Sequence, residues 1–165
     1  MAAGISMPKA NLEALRTRLN ESAHLTEDDL TNVLYIDADM PFSYVTEQVI
    51  DDLARLEPYG NKNEKPVFAR RDVTFTSGKI VGKNANVGIY TVKEANSGNR
   101  TFKLKLFRDL SLFHDFLDRE FGEGSSAAIY KGKEFTMKVA YYPDLNEFQG
   151  VKTVEFVMTD YAGRE

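Results

Sequence analysis

The sequence predicts an α+β chain: a partial α/β segment, in the order helix, strand, helix, leads into a five-stranded β-barrel that carries a helix between its third and fourth strands. Three patterns point there. In the first half, apolar residues recur at helical spacing, as in Leu12, Leu15 and Leu19. Beyond Pro66 the period changes to two, most plainly in Thr101-Phe102-Lys103-Leu104-Lys105-Leu106-Phe107, where Phe102, Leu104 and Leu106 share one face and Lys103 and Lys105 the other. The run of strands is broken once, where Leu110, Phe113, Phe116 and Leu117 return to helical spacing.

Taken in order, Pro8 suits a first helical turn, and Leu12, Ala14, Leu15 and Leu19 give an apolar stripe on a helix running to about Ser22. Thr26-Glu27-Asp28-Asp29-Leu30 is a polar connector. Val33-Leu34-Tyr35-Ile36 is too short for a helix and, bounded by Asp37-Ala38-Asp39, reads as a buried strand. Two carboxylates after a strand can hold a divalent cation, but no His, Asn or third acid stands beside Asp37 and Asp39, which read as a solvated strand end. A helix beginning near Ser43 places Val45, Val49, Leu53 and Leu56 on one face. Pro58 cannot continue it, and Glu57 before the proline is pushed toward extended backbone. Gly60 and the Asn61-Lys62-Asn63 spacer tolerate positive φ, and Pro66, without a donor, suits the exposed start of a strand.

The barrel follows. Val67 to Phe75, extended past Ser77-Gly78 to Gly82, gives its first strand, and Val87 to Val92 the second. Asn96-Ser97-Gly98-Asn99 is a turn cluster, and Thr101 to Phe107 is the third strand. Asp109 is a suitable N-cap for the helix burying Leu110, Phe113, Phe116 and Leu117, which Gly122-Glu123-Gly124 stops. Phe135 to Tyr142 and Val151 to Met158 supply the last two strands, joined by a loop over 143–150. Strand, strand, strand, helix, strand, strand is the order an OB-fold requires.

Composition narrows the function classes. The 165 residues are 42% hydrophobic, enough for a core, and contain no cysteine, which excludes a disulfide framework, a thiolate zinc site and a cysteine nucleophile. Cytoplasm is the expected compartment, with no membrane partner: no apolar run approaches the ~18 residues of a spanning helix, and Met1-Ala2-Ala3-Gly4-Ile5-Ser6-Met7 lacks a signal peptide's basic flank and apolar core. The net charge of −4 conceals an asymmetry. Residues 1–65 hold 6 Lys+Arg against 12 Asp+Glu, a net of −6, and residues 66–165 hold 15 against 13, a net of +2. Only the second half offers phosphates a favourable surface, and its small excess makes binding depend on local clustering and on salt. Neither His24 nor His114 stands in a metal-ligand context, and no Gly-rich phosphate loop or Ser-His-Asp set is present, so the chain is expected not to be hydrolytic by itself.

The run from Leu53 to Phe68 carries a family pattern: Leu-Glu-Pro-aromatic-Gly, a polar spacer with Asn, then Pro-x-Phe. It resembles the hinge ahead of the OB domain in the RecJ single-stranded-DNA-specific exonucleases of the DHH family. Met1-Ala2-Ala3-Gly4 resembles the tail of the glycine- and histidine-containing motif of the DHH-associated domain, without its Gly-Gly-His part, and Asn146-x-Phe148-x-Gly150 resembles the family's final hairpin. Two departures stand out: Tyr59 and Asn63-Glu64 replace a Phe and an Asn-Pro pair, and Asn86 stands where the second strand opens with a His. The resemblance implies that residues 1–57 are the end of a truncated DHH-associated domain, 58–66 a structural hinge built on Pro58, Tyr59, Gly60, Asn63 and Pro66, and 67–165 an OB-fold nucleic-acid-binding domain.

It further implies a non-catalytic C-terminal region of a nuclease that degrades single-stranded DNA from the 5′ end in repair and recombination. The cofactors would be manganese or magnesium held elsewhere in the parent enzyme, with none in this fragment. Partners would be single-stranded DNA, the rest of the nuclease chain and a single-strand-binding protein. OB-folds grip strands with cations tracking phosphates and aromatic faces stacking on bases, on the surface of their second and third strands. The candidates there are Lys79, Lys83, Tyr90, Arg100, Lys103 and Lys105, with Arg70 and Arg71 weaker. Outward lysines also make an ordinary soluble face, and Tyr90 could cap the core. The alternative function is therefore a structural or protein-interaction domain that positions lobes or recruits a partner.

Overall fold

The computed structural model describes residues 4–30, 33–95 and 97–164, and the chain divides into two compact units, Met1–Leu34 and Tyr35–Glu165. Met1, Ala2 and Ala3 of the N-terminal motif and Asn96 of the turn cluster lie outside the described residues. In the first unit a 3-10 turn at Lys9–Asn11 follows Pro8 and leads into α1 (Leu12–Ser22), at the expected bounds. Its apolar stripe is not covered, since Leu12 and Leu19 are exposed. The polar connector winds into a helical turn, α2 (Glu27–Leu30), because Thr26 and Asp29 cap each other: Thr26 N–H donates to Asp29 Oδ2 (2.8 Å) and Asp29 N–H to Thr26 Oγ1 (3.3 Å).

The expected buried strand at Val33–Ile36 does not form, and all four side chains are exposed. Pairing falls instead on β1 (Ala38–Asp39), parallel to the start of β2 (Phe68–Val81). Asp37 sets this register from both sides: its N–H donates to the Val67 carbonyl (2.8 Å) and its Oδ2 accepts from Val67 N–H (2.9 Å). A 3-10 turn at Phe42–Tyr44 and α3 (Glu47–Ala54) follow, with Thr46 Oγ1 capping α3 through Val49 N–H. The helix therefore starts later and ends earlier than Ser43 and Pro58.

The strands after β2 are β3 (Val87–Glu94), β4 (Phe102–Leu106), β5 (Phe135–Phe148) and β6 (Val151–Ala162). They run in the order β1-β2-β3-β4-β6-β5, and β5 pairs back onto β2, closing a five-stranded barrel with β1 as a short addition beside β2. The β4–β6 pairing is parallel and the other pairings within the barrel antiparallel. The order expected from sequence is the one observed, but β3 and β6 run on to Glu94 and Ala162, and 143–150 is not a loop but the continuation of β5 into a long hairpin that turns at Gln149 and Gly150.

Between β4 and β5 lie α4 (Leu110–Phe121), α5 (Ser125–Ala128) and a 3-10 turn at Ile129–Lys131. Asp109 caps α4 by accepting from Ser111 N–H (2.9 Å), and Gly122, at a φ of 96°, ends it where an L side chain would be strained. Two aromatic clusters fill the barrel. Phe113 of α4 meets Phe75, Tyr90, Phe116 and Tyr161, whereas Phe42 meets Phe102, Tyr141 and Phe156 with ring centroids 4.7–5.4 Å apart. Phe42 is fully buried, so the chain from Tyr35 onward is built into the barrel unit, and the boundary expected at 58–66 falls inside it.

Asp109 and Asp118 are expected to make this connection sensitive to acid. The Ser111 amide beside Asp109, and the Ser126 amide and hydroxyl (both 2.8 Å) beside Asp118, hold the two carboxyls below the usual carboxylate value. A depressed native pKa adds stability that is complete above the ordinary value of about 4 and is lost as pH falls through the lowered value. Acid titration of the unfolding midpoint is expected to show this loss only below about pH 4, and Asp118→Asn should shrink it; an unchanged acid limb in the variant would remove Asp118 from the account.

Candidate nucleic-acid interface

The outer face of β2, β3 and β4 is built by strand parity. On β3, Gly88, Tyr90, Val92 and Glu94 are buried, so Ile89, Thr91 and Lys93 face out. Register then carries the outward face sideways into two rows: Lys79, Ile89 and Lys105, and beside them Ser77, Thr91 and Lys103. Lys79 is in the first row only because β2 is bulged between Phe75 and Ser77. Val73 and Phe75 are fully buried, and unbroken alternation would carry Ser77 and Lys79 inward with them. Thr76 is the extra residue; its hydroxyl donates to the Thr91 carbonyl (3.1 Å), and every later residue of β2 changes face.

The candidate residues divide by what they touch. Lys79 and Lys83 are exposed, the first on β2 and the second in the β2–β3 turn. Lys103 is exposed on β4 and its ammonium donates to Thr91 Oγ1 (2.7 Å), which holds it over the sheet with its charge unneutralised by that contact. Lys105 is half-buried and ion-paired to Glu155 of β6, and Lys93 is paired to Glu134 at 2.8 Å. Arg100, in the β3–β4 turn, is exposed with its guanidinium carbon 5.7 Å from the Phe102 ring centroid. Of the six candidates, Lys79, Lys83, Arg100 and Lys103 are thus the exposed cations that form no ion pair among the described residues.

Tyr90 is not on that face, and its expected stacking role is corrected. It is fully buried beside Phe75 and Phe113, and its hydroxyl meets that of Tyr130 at 3.2 Å, which in turn lies 2.7 Å from His114 Nε2. Burial pushes its phenol pKa well up. Arg70 is a structural cation: Nε donates to Glu94 Oε1 (2.9 Å) and Nη1 to Asp39 Oδ1 (3.1 Å). Asp39 is spent on Arg70 and Asp37 on Val67, and among the described residues no three His, Asp or Glu side chains cluster as a metal site would require.

Four of the five expected hinge residues, Pro58, Tyr59, Gly60 and Asn63, take part in a hydrogen-bonded turn. Asn63 Nδ2 donates to the Leu56 and Pro58 carbonyls (2.9 and 3.0 Å), Gly60 and Asn63 exchange backbone bonds, and the Tyr59 hydroxyl donates to the Leu53 carbonyl (2.8 Å). The Glu57–Pro58 peptide is cis, and the positive φ falls on Lys62 rather than Gly60. Pro66 precedes β2 as expected and lines a small apolar hollow with Leu53, Tyr59 and Tyr142.

Sequence reading missed Phe107 and Arg108. Both are exposed at the end of β4, in an open cleft shared with Asn84 and Asn86 of the β2–β3 turn. The signal was there in the alternation Lys103, Lys105, Phe107, which continues one face of the strand past its last ladder bond.

Comparison with known proteins agrees with the barrel. The chain is 29% identical over 99 residues to the single-stranded-DNA-specific exonuclease RecJ of Bacillus subtilis, a match covering 59% of this chain and 13% of the relative. The crystal structure of RecJ in complex with Mg2+ from Thermus thermophilus superimposes with a TM-score of 0.62 at 19% identity, over 97% of this chain and 21% of that one. The chain therefore spans a small part of the length of these relatives. The family model of the RecJ OB domain matches residues 36–160, nearly the whole barrel unit together with the β1 and Phe42 segment, and the chain belongs to the RecJ OB domain family.

Proposed function

We propose that this chain is the single-stranded-DNA-binding, non-catalytic C-terminal region of a RecJ-like exonuclease of DNA repair and recombination, and that it guides the strand toward an active site on a lobe outside the chain. The observation that carries this reading is the outer face on which Lys79 and Lys103 stand in adjacent rows, flanked by Lys83 and Arg100 in the turns at either end of β3. Cations spaced along one sheet face follow a phosphate backbone without reading its sequence. The manganese or magnesium of the parent would lie on that other lobe, with the enzyme cytoplasmic and a single-strand-binding protein as an additional partner.

Fluorescence anisotropy of a labelled oligonucleotide tests it. Binding should weaken as salt rises, with the logarithmic slope reduced by about 0.7 for each phosphate contact removed. Lys79→Glu with Lys103→Glu is expected to lower affinity at least tenfold, or roughly 1.4 kcal/mol, and to flatten the salt dependence. Absence of binding by the unaltered chain at low salt would instead support a protein-interaction role for the barrel.

A further inference from the structure

Among the phenylalanines whose side chains are described, Phe107 is the one that is exposed, at 55%, and it makes no ring contact of the kind the others share. An exposed Phe alone is ordinary at a protein surface; what sets Phe107 apart is its place at the end of a lysine row beside an open cleft. Lys103, Lys105 and Phe107 follow one another at intervals of two residues on the outward side of the β4 segment, about 7 Å apart along the chain. The cleft beside Phe107 adds the guanidinium of Arg108 and the amides of Asn84 and Asn86. Two of its other polar groups are already engaged: Asp109 caps α4 through Ser111 N–H (2.9 Å), and His114 is held by the Tyr130 hydroxyl (2.7 Å).

An aromatic face, a cation and amides around an open cleft suit an unstacked nucleobase rather than a further phosphate. We propose that Phe107 is a stacking platform for a base of the single strand, with Arg108 holding the adjacent phosphate and Asn84 and Asn86 facing the base edge. This assignment rests on the reading of the barrel as a single-strand-binding module. It extends the strand's path from the lysine rows to the corner between β4 and α4.

The chain contains no tryptophan, so Phe107→Trp installs a unique fluorophore at the proposed contact. An oligothymidylate should quench its emission, while an abasic oligonucleotide of equal length should bind, as followed by the anisotropy of an end label, without quenching. Phe107→Leu should weaken oligothymidylate binding roughly tenfold, in the range for losing one base–aromatic stack, and leave abasic binding unchanged. Oligothymidylate that binds without quenching, with full affinity for Phe107→Leu, overturns the platform while the barrel's DNA-binding role stands. Failure of the unaltered chain to bind either oligonucleotide at low salt removes both.

Discussion

Tyr90→Ala is expected to lower folding stability by about 3–5 kcal/mol, the range for truncating a buried aromatic, while leaving the DNA affinity of the folded protein unchanged. The ring is fully buried, with centroids of Phe75 and Phe113 at 5.5 and 5.2 Å. It lies in a slot made by two glycines. A Cβ on Gly78 would stand 2.8 Å from the ring, and one on Gly88 would stand 2.6 Å from the hydroxyl, so neither strand could bring a side chain there without moving the tyrosine. Deleting the ring leaves a cavity that two glycines cannot close, which puts the loss toward the upper end of that range. Tyr90→Phe keeps the ring and forfeits the bond to Tyr130, a loss of about 1 kcal/mol. Urea unfolding measures both, and a Tyr90→Ala protein with an unchanged midpoint but impaired DNA binding would return Tyr90 to the surface role.

The second large effect is expected at the junction of β1, β2 and β3. Glu94 is buried and its Oε1 accepts from Arg70 Nε and from the Phe42 N–H, both at 2.9 Å, while Arg70 also reaches Asp39. Arg70→Met removes the cation and leaves the Glu94 carboxylate buried with one remaining donor, a loss of about 3–5 kcal/mol. Adding Glu94→Gln removes the uncompensated charge and should recover most of it, because an amide oxygen can still accept from Phe42 N–H. The double-mutant cycle, read by denaturant titration, separates this from an exposed pair, which contributes only about 0–1 kcal/mol. A single-variant loss below about 1 kcal/mol would show that the pair behaves like one at the surface.

What the sequence made legible follows where one local rule decides. The barrel helix had its cap at Asp109, its stripe at Leu110, Phe113, Phe116 and Leu117, and its stop at Gly122, all acting on the same few residues. β4 alternates cleanly because no bulge interrupts it. The misses came where distant partners decide. Val33–Ile36 has the composition of a strand, but the hydrogen bonds are taken by Asp37, Ala38 and Asp39, whose pairing is set by Val67 and Phe68 thirty residues later. Tyr90 looked like a surface aromatic because the glycines that admit its ring sit partly on the neighbouring strand. In the site, the lysines of β4 could be placed by parity alone. Lys79 reaches the same face through a bulge at Thr76 that leaves no composition signal, since Thr and Ser suit either side of a sheet.

The seam that closes the barrel joins Phe68 to Tyr141, and the Tyr141 hydroxyl donates to the Met40 carbonyl, 101 positions upstream (2.8 Å). Closing so large a loop spends chain entropy before the contacts can offset it. During synthesis, when residues 35–66 have left the ribosome they have neither β2 nor β5 to pair with, and Phe42 has no pocket to enter. Their exposed apolar groups must wait for nearly the whole domain to follow. The β3–β4 hairpin and α4 are built from neighbours in sequence, whereas the seam and the Phe42 plug need residues from both ends of the domain and on contact order are expected to close late.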